Sequence, residues 1–126
     1  MKKMFTIGII LLVLIGLLYY LYRYAIDSPY RISGEEAKKL IKQNRFDVIL
    51  DVRTDLERNT LGYYPDSVHI QSADLEKQMP LQFPNKETRI LAYCNSGQRA
   101  RKATEKLHKL GYNNSVYIAT TYRSIL

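Results

Sequence analysis

A mostly parallel α/β sheet with helices on both faces, preceded by one transmembrane helix, is the architecture this 126-residue sequence predicts. Three observations carry it. An uncharged run of 19 residues, Met4 to Tyr22, opens the chain. Short apolar segments then alternate with segments of helical periodicity. Those apolar segments are continuous rather than alternating, which marks strands covered on both faces. Composition sets the bounds: 46% apolar and 25% charged residues exclude long disorder, and the length allows one small domain. A single cysteine, Cys94, excludes an internal disulfide framework and any CxxC pair. His69 and His108 are too few and too far apart in the chain for a metal site. Neither a metal nor another cofactor is expected.

The elements follow in order. At about 1.5 Å per residue, a helix over residues 4–22 reaches roughly 28 Å, close to the hydrocarbon thickness of a bilayer. Tyr19, Tyr20, Tyr22 and Tyr24 gather at its C-terminal end, where amphipathic rings favour the headgroup layer. A cleaved signal peptide fits less well. Its apolar core is shorter, and cleavage after Ala25 would place Arg23 at the −3 position. A buried core helix would show a polar face, and this run shows none. The expected partition is a transmembrane helix over 4–22, a short linker over 23–29 and a domain over 30–126. Lys2 and Lys3 on one side nearly balance Arg23, Arg31, Lys38 and Lys39 on the other. The orientation taken is single-pass with the domain in the cytoplasm.

Tyr30–Ile32 reads as a short strand. Ser33, with Glu36 three residues later, reads as a capping box. Ala37, Leu40 and Ile41 then share a helix face. Val48–Leu50 is a buried strand ending at Asp51, and Ser67–Ile70 is another. A helical turn over Ala73–Gln78 is expected to stop at Pro80. Arg89–Tyr93 is a strand. Gln98–Leu110 is a helix with Ala100, Ala103, Leu107 and Leu110 on one stripe, and Gly111 ends it. Ser115–Ile118 is the last strand. In parallel sheets of this kind, ligands bind beyond the C-terminal ends of strands.

Local charge is positive around Arg99, Arg101, Lys102, Lys106 and Lys109, opposed there only by Glu105. Nucleic acid is not the expected partner, because no aromatics interleave with these cations. An anionic small substrate or an anionic membrane surface accounts for the charge as well.

The informative stretch is YCNSGQRARKATEKLHKLGY, Tyr93–Tyr112. A buried strand delivers Cys94 at its C-terminal edge. Asn95, Ser96, Gly97 and Gln98 follow, and Arg99 opens a basic helix. A turn whose N–H groups point inward there forms an anion cradle. Gly97 permits a positive φ or a close backbone approach. The same field favours a thiolate over a thiol. Lone cysteines are usually structural, but this position favours a nucleophile.

These residues, with Asp51-Val52-Arg53 and Glu57, resemble a single-domain rhodanese over about Tyr30 to Ile118. The resemblance implies a rhodanese-like parallel sheet and sulfur transfer through a persulfide on Cys94. It implies that main-chain amides from Asn95 to Arg99 hold the persulfide, and that Arg99 and Arg101 orient an anionic donor such as thiosulfate. A thiol or protein cysteine would be the acceptor, and the lipid bilayer a further partner. Asp51 and Arg53 would brace the site, with Arg53 paired to Glu57. The spacing Cys94 to Arg99 is C-x4-R, whereas related phosphatases of this fold use C-x5-R around a tetrahedral oxyanion. Together with the absence of a second, resolving cysteine, this disfavours cysteine-phosphatase or arsenate-reductase chemistry.

The sequence departs from the family in four places. Gly62-Tyr63-Tyr64 stands where Gly-His-Ile is usual, and Arg58 stands where an aromatic follows the helix glutamate, with Leu61 a candidate to fill that space. Thr120-Thr121 replaces a Gly-Gly turn at one wall of the site, and little chain remains for a final helix before Leu126. The altered wall keeps a third reading open, a catalytically silent binding module. His69 reads as structural without a carboxylate partner, and His108 as solvated.

Overall fold

The computed structural model describes residues 1–126. Helix α1 spans Lys2–Ile26, so the segment expected to link anchor and domain stays helical through Ile26. Its apolar side chains are exposed along the run, from Phe5 to Leu18. Strand β1 is Arg31–Ile32, β2 Val48–Asp51, β3 Val68–His69, β4 Ile90–Tyr93 and β5 Ser115–Ile118. Every neighbouring pair is parallel, in the order β1-β5-β4-β2-β3.

Side-chain alternation splits the continuous apolar strands between two cores. Ile90, Ala92 and Cys94 face one cluster with Ala100, Ala103 and Leu107 of α5 (Gln98–Lys109) and Leu75 and Met79 of α4 (Leu75–Gln82). Leu91 and Tyr93 face a second cluster with Ala37 of α2 (Gly34–Lys42), Ile118 and Ile125. Ile125 belongs to a 3-10 turn, Tyr122–Ile125, that packs against α2 and covers this face.

Ser33 caps α2 by accepting from the Glu36 amide at 3.0 Å, half of the expected capping box. The complete box occurs instead at α3 (Asp55–Leu61), where Thr54 and Glu57 bond reciprocally. Pro80 does not end its helix. A 3-10 turn, Ser72–Asp74, leads into α4, which carries Pro80 inside it and runs on to Gln82. The acceptor deprived of a donor is the carbonyl of Glu76, an exposed residue, so the loss falls where solvent replaces it. At the end of α5, Tyr112 donates to the Leu107 carbonyl and Gly111 to that of His108, with Gly111 at φ 99°. This is a Schellman closure.

α1 is docked rather than dangling. Ala25 is buried, its carbonyl accepts from the Tyr117 hydroxyl, and the Tyr24 carbonyl accepts from Arg101. The Arg101 guanidinium lies over the Tyr24 ring at 3.9 Å.

Candidate active site

The chain leaves β2 toward β3 on one side of the sheet and leaves β4 toward β5 on the other. The C-terminal ends of β2 and β4 therefore flank a topological switch point, where such sheets place ligands. Asp51 and Tyr93 are register partners at those ends. The loops that follow carry Arg53 and Cys94.

Cys94 turns its Sγ into the loop. The Gly97 amide donates to it at 3.0 Å and the Ala100 amide at 3.4 Å. Gly97 makes this turn possible. Its φ is 101°, and a Cβ there would stand 2.6 Å from the Cα of Ala119. Ala119, just before Thr120-Thr121, forms that wall of the loop. Of the amides from Asn95 to Arg99, Gly97 alone donates to the sulfur, and Ala100 lies one residue beyond that range. The sulfur is not open to solvent, since Cys94 is 1% exposed. Only Ser96 among the loop residues is exposed.

The predicted supporting residues meet here in a different pairing. Arg53 does not reach Glu57. Its guanidinium grips Asp51 at 2.9 Å through both Nε and Nη2, and donates to the Gly62 carbonyl at 2.6 Å and the Asn95 side chain at 3.2 Å. Glu57 instead takes Arg99 in a bidentate pair at 2.6 and 2.7 Å and accepts from Asn95 at 2.6 Å. The reason is reach: α3 projects Glu57 toward the cysteine loop, while Asp51 lies two residues from Arg53 on a buried strand end. Asn95 thereby links both ion pairs across the loop. Burial opposes ionisation of Asp51, yet hydrogen bonds from Arg53 and Arg58 outweigh it and hold its carboxyl below the usual range. Arg99 draws Glu57 down to about 2.

Arg101 is not at the site. It bonds Glu105 at 2.7 Å and the end of α1. Gln98 is half-buried and lines a cavity with Arg99 and α1. Leu61 does not fill the space near Arg58; it is 51% exposed. Arg58 fills it, bonding Asp51 and Ser67 and lying over the Tyr63 ring at 3.9 Å. His69 has a carboxylate neighbour after all, Asp55 at 3.4 Å, and its Nε2 lies 2.7 Å from the Arg53 carbonyl. His108 is not simply solvated: it stacks on Tyr30 at 3.9 Å and lies 2.9 Å from the Ser115 carbonyl. Thr54 joins the site through a capping signal that its spacing to Glu57 carries, whereas the docking of Tyr24 and Ala25 on Arg101 and Tyr117 has no local signal in the sequence.

A parallel α/β domain with its cysteine in an amide-lined turn at the switch point is the class of protein these features define. The sequence matches the rhodanese-like domain over residues 33–121, and the chain belongs to that family. It is 26% identical over 104 residues to the mouse (Mus musculus) thiosulfate sulfurtransferase/rhodanese-like domain-containing protein 3, covering 74% of this chain and 66% of that protein. The human single-domain sulfurtransferase TSTD1 superposes with a TM-score of 0.65 at 26% identity, covering 77% of this chain and 95% of that one. A rhodanese-like domain protein from Staphylococcus aureus gives 0.65 at 26% identity, covering 76% and 90%.

Proposed function

We propose that this chain is a membrane-anchored sulfurtransferase that carries a sulfane sulfur on Cys94. The observation that supports it most is the pair of amides, Gly97 and Ala100, donating to Sγ. A thiolate or persulfide anion accepts such bonds more strongly than a thiol does. In the first half-reaction the Cys94 thiolate attacks the outer sulfur of thiosulfate. The S–S bond of thiosulfate breaks, sulfite leaves with the electron pair, and Cys94 holds a persulfide anion. In the second, a thiolate or cyanide attacks the terminal sulfur. The bond within the persulfide breaks and the Cys94 thiolate returns. No proton or external electron is required in either step. Arg99, held by Glu57 beside the loop, is the cation that meets the anionic donor. Arg101, bound to α1, has no part in that step.

The α1 helix is the anchor, a single pass with the domain on the cytoplasmic side. The length and exposed apolar surface of α1 support the span, and protease accessibility in sealed vesicles tests the side. The assay for the chemistry is thiosulfate:cyanide turnover by the full chain and by Cys94→Ser. Turnover in the wild type alone supports the reading; retained turnover in Cys94→Ser overturns it. The near-complete burial of Cys94 favours a second reading, a rhodanese-like binding module whose loop does not open to a donor. That module would show no turnover in either protein.

A further inference from the structure

The C-terminal end of α1 is held against α5 and β5. Ala25 is buried, Tyr24 and Ala25 give their carbonyls to Arg101 and Tyr117, and the Tyr24 hydroxyl bonds Glu105 at 3.3 Å. Between the last turns of α1 and the first turn of α5 lies a cavity of about 260 Å³, lined by Tyr20, Leu21, Tyr24, Gln98, Arg99 and Lys102. Tyr20 and Leu21 belong to the uncharged run, so with α1 read as an anchor the cavity falls at the boundary between acyl chains and headgroups. The cations in and around it are not equivalent. Arg99 is held by Glu57 beside the cysteine loop, Arg101 pairs with Glu105, Arg23 with Asp27, and Lys106 faces Glu76 at 3.6 Å. Lys102 is exposed and forms no ion pair. It also lines the adjoining cavity of about 280 Å³ with Ser72, Ala73 and Lys106.

On the reading of α1 as a membrane anchor, we infer that this cavity binds the headgroup of an anionic phospholipid, with Lys102 supplying the charge. The phosphodiester accepts from the Lys102 ammonium and the Gln98 amide. The acyl chains run along the exposed leucines of α1, Leu17 and Leu18 among them. A zwitterionic lipid brings an ammonium of its own, which the uncompensated Lys102 disfavours. An inorganic phosphate brings no chains to lie on α1.

The test is native mass spectrometry of the full chain in detergent micelles, titrated with phosphatidylglycerol or with phosphatidylcholine. Wild type retains phosphatidylglycerol preferentially. Lys102→Gln weakens phosphatidylglycerol binding about five-fold, the effect of one cation at a membrane surface, and leaves phosphatidylcholine binding unchanged. Lys86→Gln removes the same charge beside Gly111, at the far end of α5, and leaves both unchanged. Equal weakening by the two variants, no preference in the wild type, or displacement of the lipid by inorganic phosphate at matched concentration overturns the site. Alkaline carbonate extraction of membranes separates the two claims. Release of the full chain defeats the anchor and the site together. Retention, with a Lys102→Gln protein that binds like wild type, defeats the site alone.

Discussion

Replacing Gly97 by alanine, with Gly111→Ala as its partner, isolates what the cysteine loop demands of its backbone. The two glycines have nearly the same φ, 101° and 99°. An alanine in that left-handed region costs roughly 1–2 kcal/mol at either position. The surroundings differ. The nearest neighbour of a Cβ at Gly111 is the flexible end of Lys86 at 3.7 Å, an ordinary contact. A Cβ at Gly97 meets the Cα of Ala119 at 2.6 Å and its Cβ at 2.8 Å, and main chain cannot swing aside as a lysine tip does. Overpacking of that kind adds about 1–3 kcal/mol. Gly97→Ala is therefore expected to lose about 2–5 kcal/mol and Gly111→Ala about 1–2 kcal/mol. For a domain of this size each kcal/mol lowers Tm by about 4–8 °C. Thermal melts of the full chain in micelles, followed by circular dichroism, read the difference. Gly97→Ala is also expected to lose sulfur transfer, because the Gly97 amide that faces Sγ moves with the backbone, whereas Gly111→Ala keeps it. Equal loss of stability in the two variants, or wild-type transfer by Gly97→Ala, refutes the reasoning.

Arg53→Met leaves Asp51, fully buried, with only Arg58 as a charged partner. The expected loss is about 3–5 kcal/mol, seen as a large drop in Tm, and a loss under about 1 kcal/mol contradicts it. The Glu57–Arg99 pair makes the site acid-sensitive. The carboxyl sits at about 2 when folded against an ordinary 4.5, so its contribution is complete above about pH 4.5 and is lost as pH falls toward 2. Arg99 is 38% exposed and solvent screens the pair, so the effect is about 1 kcal/mol; Glu57→Gln is expected to flatten the stability–pH profile over that window. Removing residues 1–26 takes the partners of Arg101 and Tyr117 away, so the truncated domain is expected to melt below the domain in the full chain. An unchanged Tm shows that the docking of α1 contributes nothing to stability.

Much of the sheet was legible because its strands are covered on both faces, which writes them as unbroken apolar runs such as Val48–Leu50. The end of α5 was legible because a Schellman turn needs the glycine that Gly111 supplies. Pro80 misled because both effects of a proline inside a helix, the bond it removes and the carbonyl its ring crowds, fall on Glu76, an exposed residue. The site was half legible. Cys94, Gly97 and their helix are adjacent in sequence, so local rules reach them. The partnership of Glu57 with Arg99 spans 42 residues, and only the direction in which α3 projects decides it. The docking of Tyr24 on Arg101 is longer in range still, and nothing in either local sequence announces it.

The mass of the peptide carrying Cys94, measured after the folded full chain meets thiosulfate, probes the proposed chemistry most directly. One added sulfur atom, removed again by cyanide and absent in Cys94→Ser, is the expected result. An unmodified Cys94 in protein that is folded and exposed to excess donor would mean that the buried sulfur never meets its substrate, and that the loop serves binding alone.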